Sequence, residues 1–228
     1  MNVFLKLNIL SILKPLFIFF KLPIIIVRIG EVKMAKLYFR YGSMNSGKTA
    51  LLLQAAHNYD EQGMKVIIAK PSKDTKGEDY LISRIGLKRK IDFLFKNNDN
   101  ILKKIKRIKT KIDCIFVDEA QFLEPKQVDQ LMQVVITLNI PVICYGLRLD
   151  FQAKGFPGST RLLEIAHKLE EMKTICTCGS KATYNARKIN GKYTTTGNQV
   201  AIDGENETTY EPVCAKCYYQ KVSKYKDH

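Results

Sequence analysis

At 228 residues the chain suffices for one large domain, or for a domain with a small appendage. Hydrophobic residues make up 46% and charged residues 26%, which supplies a sizeable core and a surface ordinary for a soluble protein. The net charge of +15 favours polyanionic partners, although a Lys-rich composition around a phosphate site gives the same sign.

Residues 1–33 are apolar, and the charges before Glu31 are Lys6, Lys14, Lys21 and Arg28. No uncharged run reaches the roughly 18 residues that a spanning helix needs. Pro15 and Pro23 interrupt any helix, and there is no small-residue cleavage site. A membrane-surface helix, a poor signal sequence and translated upstream sequence are the competing readings. We expect the third, because "MAKLYFRYGS" from Met34 reads as an ordinary cytosolic beginning. The segment is then outside the fold.

From there strands and helices alternate. "KLYFRY" predicts a strand that runs into Gly42-Ser43-Met44-Asn45-Ser46-Gly47-Lys48-Thr49, a full match to G-x-x-x-x-G-K-[ST]. Gly42 and Gly47 permit a tight loop whose backbone N–H groups point at phosphate oxygens. A helix over 48–62, closed by Gly63, adds its N-terminal dipole. Lys48 would place a compact positive charge on the transferring phosphoryl group, and Thr49 would offer a hydroxyl to Mg²⁺.

"KVIIAKP" predicts a strand stopped by Pro71, and the polar residues 72–85 predict a mobile loop. Lys88 to Lys111 is the densest basic run. Ile101, Leu102, Ile105 and Ile108 within it have helical spacing, so an amphipathic helix with a solvated basic face is expected. "CIFVDEAQF" predicts a central parallel strand ending in Asp118 and Glu119. Adjacent strand residues point to opposite faces, so the two carboxylates predict two tasks, one at a metal and one at a substrate hydroxyl or a water. A helix over 124–139, a buried strand in "PVICYGL" and a helix over 159–169 complete an α/β pattern with a parallel sheet. These motifs describe an ATP-dependent phosphoryl transferase or ATPase and leave the acceptor open.

Composition shifts near residue 172 towards Thr, Tyr, Gly and Asn. Asn190-Gly191 between two β-prone runs predicts a hairpin. Cys114 and Cys144 lie in apolar runs and read as core. Cys176, Cys178, Cys214 and Cys217 form two close pairs, which suggests a reducing compartment and a closed structural Zn²⁺ site. The first pair is one residue tighter than the usual C-x₂-C. The expected organisation is an extension over 1–33, a P-loop kinase domain over 34–172, a zinc-binding domain over 173–222 and a tail over 223–228.

The ordered segments "GSMNSGKT", "SRIGL", "FVDEAQFL", "PVICYGLRLDF" and "TYEPVC" resemble the type II thymidine kinases from about Lys36 to Cys217. The resemblance implies a RecA-like parallel sheet with helices on both faces, plus a small β-rich zinc-bound lasso. It implies transfer of the γ-phosphate of ATP to the 5′-hydroxyl of thymidine, with deoxyuridine a further acceptor, giving dTMP in pyrimidine salvage. Glu119 matches the general base, Asp118 the Mg²⁺-linked carboxylate, and Met44 a residue lining the base pocket. Phe151 matches the aromatic beside the base and Tyr210 the lasso tyrosine. Val200, Ala201, Ile202, Asp203 and Gly204 match the lasso run that hydrogen-bonds the base, with Asp203 where the family commonly carries glycine. Arg84 is a candidate to stabilise transition-state charge. The family also implies a cytoplasmic homotetramer, feedback inhibition by dTTP, and no nucleic-acid or membrane partner. A nucleic-acid-stimulated P-loop ATPase with a zinc ribbon is the alternative, supported by the charge and the basic helix. A non-enzymatic zinc module is a weaker one, given the complete P-loop and the Asp-Glu pair.

Overall fold

The computed structural model describes residues 34–74, 77–197, 199 and 208–223. Contacts divide the chain into two units, Met1–Lys33 and Met34–His228, and the fold described here belongs to the second. In chain order it comprises β1 (Leu37–Tyr41), α1 (Lys48–Glu61), β2 (Val66–Pro71), β3 (Tyr80–Ile82), β4 (Lys88–Lys90) and β5 (Phe93–Phe95). There follow α2 (Ile101–Lys106), β6 (Cys114–Val117), a 3-10 turn (Ala120–Phe122), α3 (Pro125–Leu138), β7 (Val142–Gly146), α4 (Pro157–Ile165) and β8 (Lys168–Glu171). The small β-rich part holds β9 (Tyr184–Ile189), β10 (Lys192–Thr194), β11 (Thr208–Val213) and α5 (Ala215–Ser223).

Six strands form one sheet in the order β5-β2-β6-β7-β1-β8, and every pairing is parallel. β2 and β6 are buried along their whole length, as continuous apolar runs demand when both sheet faces are covered. Period-two alternation then sorts the side chains. Ile115 and Val117 join the core under α3, with Leu131, Val134 and Val135. Cys114 and Phe116 join the opposite core under α1, with Leu52, Leu53 and Ala56. Helices therefore cover both faces. Ile101 and Ile105 of α2 are buried, while Lys103 and Lys104 on its last turn face outward.

Two segments differ from the sequence reading. The loop over 72–85 contains β3, which pairs with β4 and places Lys88 Nζ 4.2 Å from the centre of the Tyr80 ring. The helix expected over 159–169 ends at Ile165, and 168–171 form edge strand β8 beside β1. Its residues Lys168, Leu169, Glu170 and Glu171 carry no buried apolar run, so local pattern misses it. Long-range partners decide it: Leu37 N donates to His167 Nδ1 at 3.0 Å, and Arg40 Nε donates to Glu170 Oε2 at 2.6 Å.

The small sheet is antiparallel, in the order β10-β9-β11. Asn190 at φ 49° and Gly191 at φ 78° form the tight turn expected there. Among the described residues no helix is long and apolar enough to cross a membrane. Leu131 is fully buried between α3 and the sheet. Leu131→Ala is expected to cost about 2–5 kcal/mol by urea unfolding, and a smaller loss would show that α3 can collapse onto the vacated space.

Candidate active site

β1 runs into residues 42–47 and α1 opens at Lys48, so the loop joins a strand end to a helix N-terminus. Gly47 adopts φ 76°, a left-handed conformation that glycine takes at little cost. Lys48 is buried, and its Nζ donates to the Ser43 carbonyl at 2.8 Å and to Ser46 Oγ at 3.2 Å. Burial lowers its pKa, against the opposing pull of Glu119 and Asp118. The ammonium is therefore aimed into the loop, where phosphate oxygens would be better partners.

Asp118 follows β6, and its N–H still donates to the Ala69 carbonyl at 2.9 Å. The side chain is buried, and Oδ2 accepts from Thr49 Oγ1 at 2.8 Å. Desolvation, then the neighbouring Glu119 charge, pushes the Asp118 carboxyl up to about 7. A desolvated carboxylate beside a hydroxyl is an oxygen donor set suited to a hard divalent cation, so Thr49 and Asp118 fit Mg²⁺.

Strand alternation predicts Glu119 on the face opposite Asp118, and here the structure corrects the expectation. Glu119 has left the strand at φ 48°, ψ 36° and opens the 3-10 turn. A left-handed non-glycine residue costs about 1–2 kcal/mol and persists only where its surroundings over-determine it. Gln121 is one such surrounding group. Its Nε2 donates to Glu119 Oε2 at 2.5 Å, and its Oε1 accepts from Leu147 N at 3.0 Å.

A cleft of about 410 Å³ joins these parts. Met44, Asn45, Ser46, Gly47, Lys48, Thr49, Arg84, Glu119, Phe151 and Tyr210 all line it. Gly42, Ser43 and Asp118 do not line it. Val200, Ala201, Ile202, Asp203 and Gly204 lie outside the described residues.

The small β-rich part contributes Asn185, Gln199 and Tyr210 to this cleft, and sequence reasoning missed the first two. Asn185 on β9 accepts from Met44 N at 2.7 Å and donates to the Leu149 carbonyl at 3.1 Å, tying the P-loop to the segment after β7. Arg187 lies with its guanidinium 3.5 Å from the centre of the Phe151 ring, and in register it pairs with Tyr210. Tyr218 OH donates to the Phe151 carbonyl at 2.7 Å. Asp150 accepts from Gln199 Nε2 at 2.9 Å, fixing the chain next to residue 200. Asn185 and Arg187 sit in "TYNARK", which as sequence carried only a hairpin signal.

Cys176, Cys178, Cys214 and Cys217 are free, and their sulfurs all lie within 4.8 Å of one another. A tetrahedral Zn²⁺ with bonds of about 2.3 Å places its sulfurs roughly 3.8 Å apart, so the cluster fits a closed site. The shortened first pair still reaches the second, with Cys178 Sγ 3.6 Å from Cys214 Sγ. Ser180 N–H pulls the Cys178 thiol down to about 6, whereas the adjoining sulfurs push Cys217 up to about 12. Four thiolates this close require a cation to ionise together.

The thymidine kinase family model matches residues 35–218. The thymidine kinase of Listeria monocytogenes is 49% identical over 188 residues, covering 81% of this chain and 97% of the relative. The thymidine kinase of Mesorhizobium japonicum is 45% identical over 195 residues, covering 84% and 94%. That of Streptococcus gordonii is 47% identical over 189 residues, covering 82% and 97%. A solved structure titled as the replication initiator DnaA bound to AMPPCP and single-stranded DNA aligns with 62% of this chain and 41% of its own, at 18% identity and a TM-score of 0.37. That likeness is too slight to bear on this chain.

The raised Asp118 pKa makes a stability prediction. An ordinary unfolded Asp titrates near 3.9, so the folded carboxyl resists ionisation and the cost is complete above pH 7. Asp118→Asn should therefore raise the melting temperature of the ligand-free protein at pH 8. The gain should shrink as the pH falls from about 7 towards 4. Equal gains at pH 5 and pH 8 would contradict the shift.

Proposed function

Because the chain belongs to the thymidine kinase family, we propose a division of labour within the cleft for transfer of the terminal phosphoryl group of ATP to thymidine. ATP-dependent phosphorylation of thymidine in salvage is the activity of this chain. One observation carries the residue assignments: the P-loop, Arg84, Glu119, Phe151 and Tyr210 line one and the same cleft.

In this reading the loop Gly42–Thr49 cradles the ATP phosphates through its backbone N–H groups and the N-terminus of α1. Lys48 turns from its loop acceptors to the terminal phosphate. Thr49 and Asp118 hold Mg²⁺, which when bound neutralises charge on the phosphate oxygens. Met44, Phe151 and Tyr210 enclose the thymine, and 200–204 supply backbone donors and acceptors to its edge. A 5′-hydroxyl is a poor nucleophile near neutral pH, so Glu119 accepts its proton as the oxygen attacks. Arg84 stabilises the charge that develops on the transferring group. Enclosure of the acceptor excludes water that would otherwise take the phosphoryl group. Zn²⁺ at the four cysteines is structural, because the cluster offers no open position.

The finer family properties belong to the same proposal: dTMP as product, deoxyuridine as a second acceptor, a cytoplasmic homotetramer and feedback inhibition by dTTP. The alternative of a nucleic-acid-stimulated ATPase rested on net charge and the basic helix, neither of which builds the cleft.

Two variants test the assignments. Glu119→Gln preserves shape and removes the base, so kcat should fall about 10²–10⁴-fold while ATP binding by titration stays near normal. Retention of kcat would exclude Glu119 as the base. Cys214→Ser should release zinc and weaken thymidine binding steeply with ATP affinity nearly intact, because metal binding and local folding are coupled. Metal analysis beside the two titrations decides it; intact thymidine binding after zinc loss would refute the structural role.

A further inference from the structure

Gln121 is 1% exposed, and its amide makes two bonds of opposite kind. Oε1 accepts from Leu147 N at 3.0 Å, just beyond β7. A backbone N–H can only donate, so this bond settles which end of the amide is oxygen. The NH₂ group must then face Glu119, and Nε2 donates to Glu119 Oε2 at 2.5 Å. Space for the arrangement comes from Gly146, where an added Cβ would lie 2.8 Å from Gln121 Oε1 and 3.1 Å from Gln121 N. Glu119 itself has a left-handed backbone at φ 48°. One carboxylate oxygen is thus occupied, and Glu119 also lines the cleft.

We propose that Gln121 is a positioning residue for phosphoryl transfer, anchored on Leu147 N and holding Glu119 Oε2 so that the other carboxylate oxygen is aimed at the acceptor hydroxyl. The inference rests on Glu119 as the base. A neutral amide suits this task. It fixes the direction of the carboxylate through a short hydrogen bond to a charged acceptor, and it leaves the negative charge in place. A lysine or arginine there would direct Glu119 equally well and neutralise it. Gln121 also links two strand ends, since Glu119 follows β6 and Leu147 follows β7. Their relative placement is thereby set at the reacting centre itself.

The test uses Gln121→Glu and Gln121→Met in the full chain, with kcat and KM measured for ATP and thymidine. Gln121→Glu keeps length and keeps an acceptor for Leu147 N, but presents oxygen to Glu119 where a donor stood. Gln121→Met is neutral, loses both bonds, and decides the matter if the glutamate variant does not fold. Misplacement of a reacting group by about 1 Å costs on the order of 10²-fold, so kcat should fall roughly 10–100-fold with both KM values within about threefold. Each substitution should cause no further loss in a Glu119→Gln background, because residues acting as a unit are non-additive. Wild-type kcat in either folded variant overturns the inference. So does a loss that appears as raised KM, or one that adds in full to that of Glu119→Gln. Glu119→Gln alone separates the two readings. If it stays active, the base assignment fails. If it is inactive while the Gln121 variants turn over normally, only the positioning role fails.

Discussion

Tyr41 pairs with Gly146 and Val117 with Cys144, in parallel, and this shared register of β1, β7 and β6 governs where the chemistry can occur. Parallel strands need crossovers that return the chain to the same starting edge, so all their C-terminal ends emerge together. The P-loop, the Asp118–Glu119 turn and the segment 147–151 therefore leave the sheet side by side. The sheet cannot slide to relax one of them, because its central strands are packed on both faces. A one-residue slip would exchange Cys114 and Phe116 with Ile115 and Val117 between the two cores.

The second support comes from the small β-rich part. Its core is a small cluster that includes Cys176 and Cys214 themselves, which fits the rule that small structural units need staples beyond apolar burial. Yet its side chains reach the cleft at several points. Asn185 holds Met44 N, Arg187 lies over Phe151, and Tyr218 holds the Phe151 carbonyl. Tyr218 lies on α5, one residue beyond Cys217. The cysteine cluster and Phe151 of the cleft are thereby connected through one residue, Tyr218.

Lys48 and Asp118 also carry opposed electrostatic strains. Burial lowers the Lys48 pKa and raises that of Asp118, so each group is displaced towards its neutral form. Phosphate oxygens and a divalent cation are the charges that would restore both. Asp118 is already held by Thr49, whereas Lys48 is held by loop acceptors that a phosphate would replace.

By itself the sequence determined the P-loop, the alternation of strands and helices, the buried strand ending in Asp118, the Asn190-Gly191 turn and the pairing of cysteines. Each depends on residues close together along the chain, through local sterics, periodicity or fixed spacing. Only the tertiary structure decided the rest. β8 exists because β1 offers it partners, not because "KLEE" favours a strand. Glu119 left the strand direction and meets a donor in Gln121, whose amide oxygen is held by Leu147 N at the end of β7. Asn185 became part of the cleft, and Arg187 lies over its Phe151, because β9 meets the P-loop and the segment after β7. These outcomes depend on contacts between residues far apart in the chain, whose register is set by burial on both faces of a sheet and carries no mark in any short stretch of sequence.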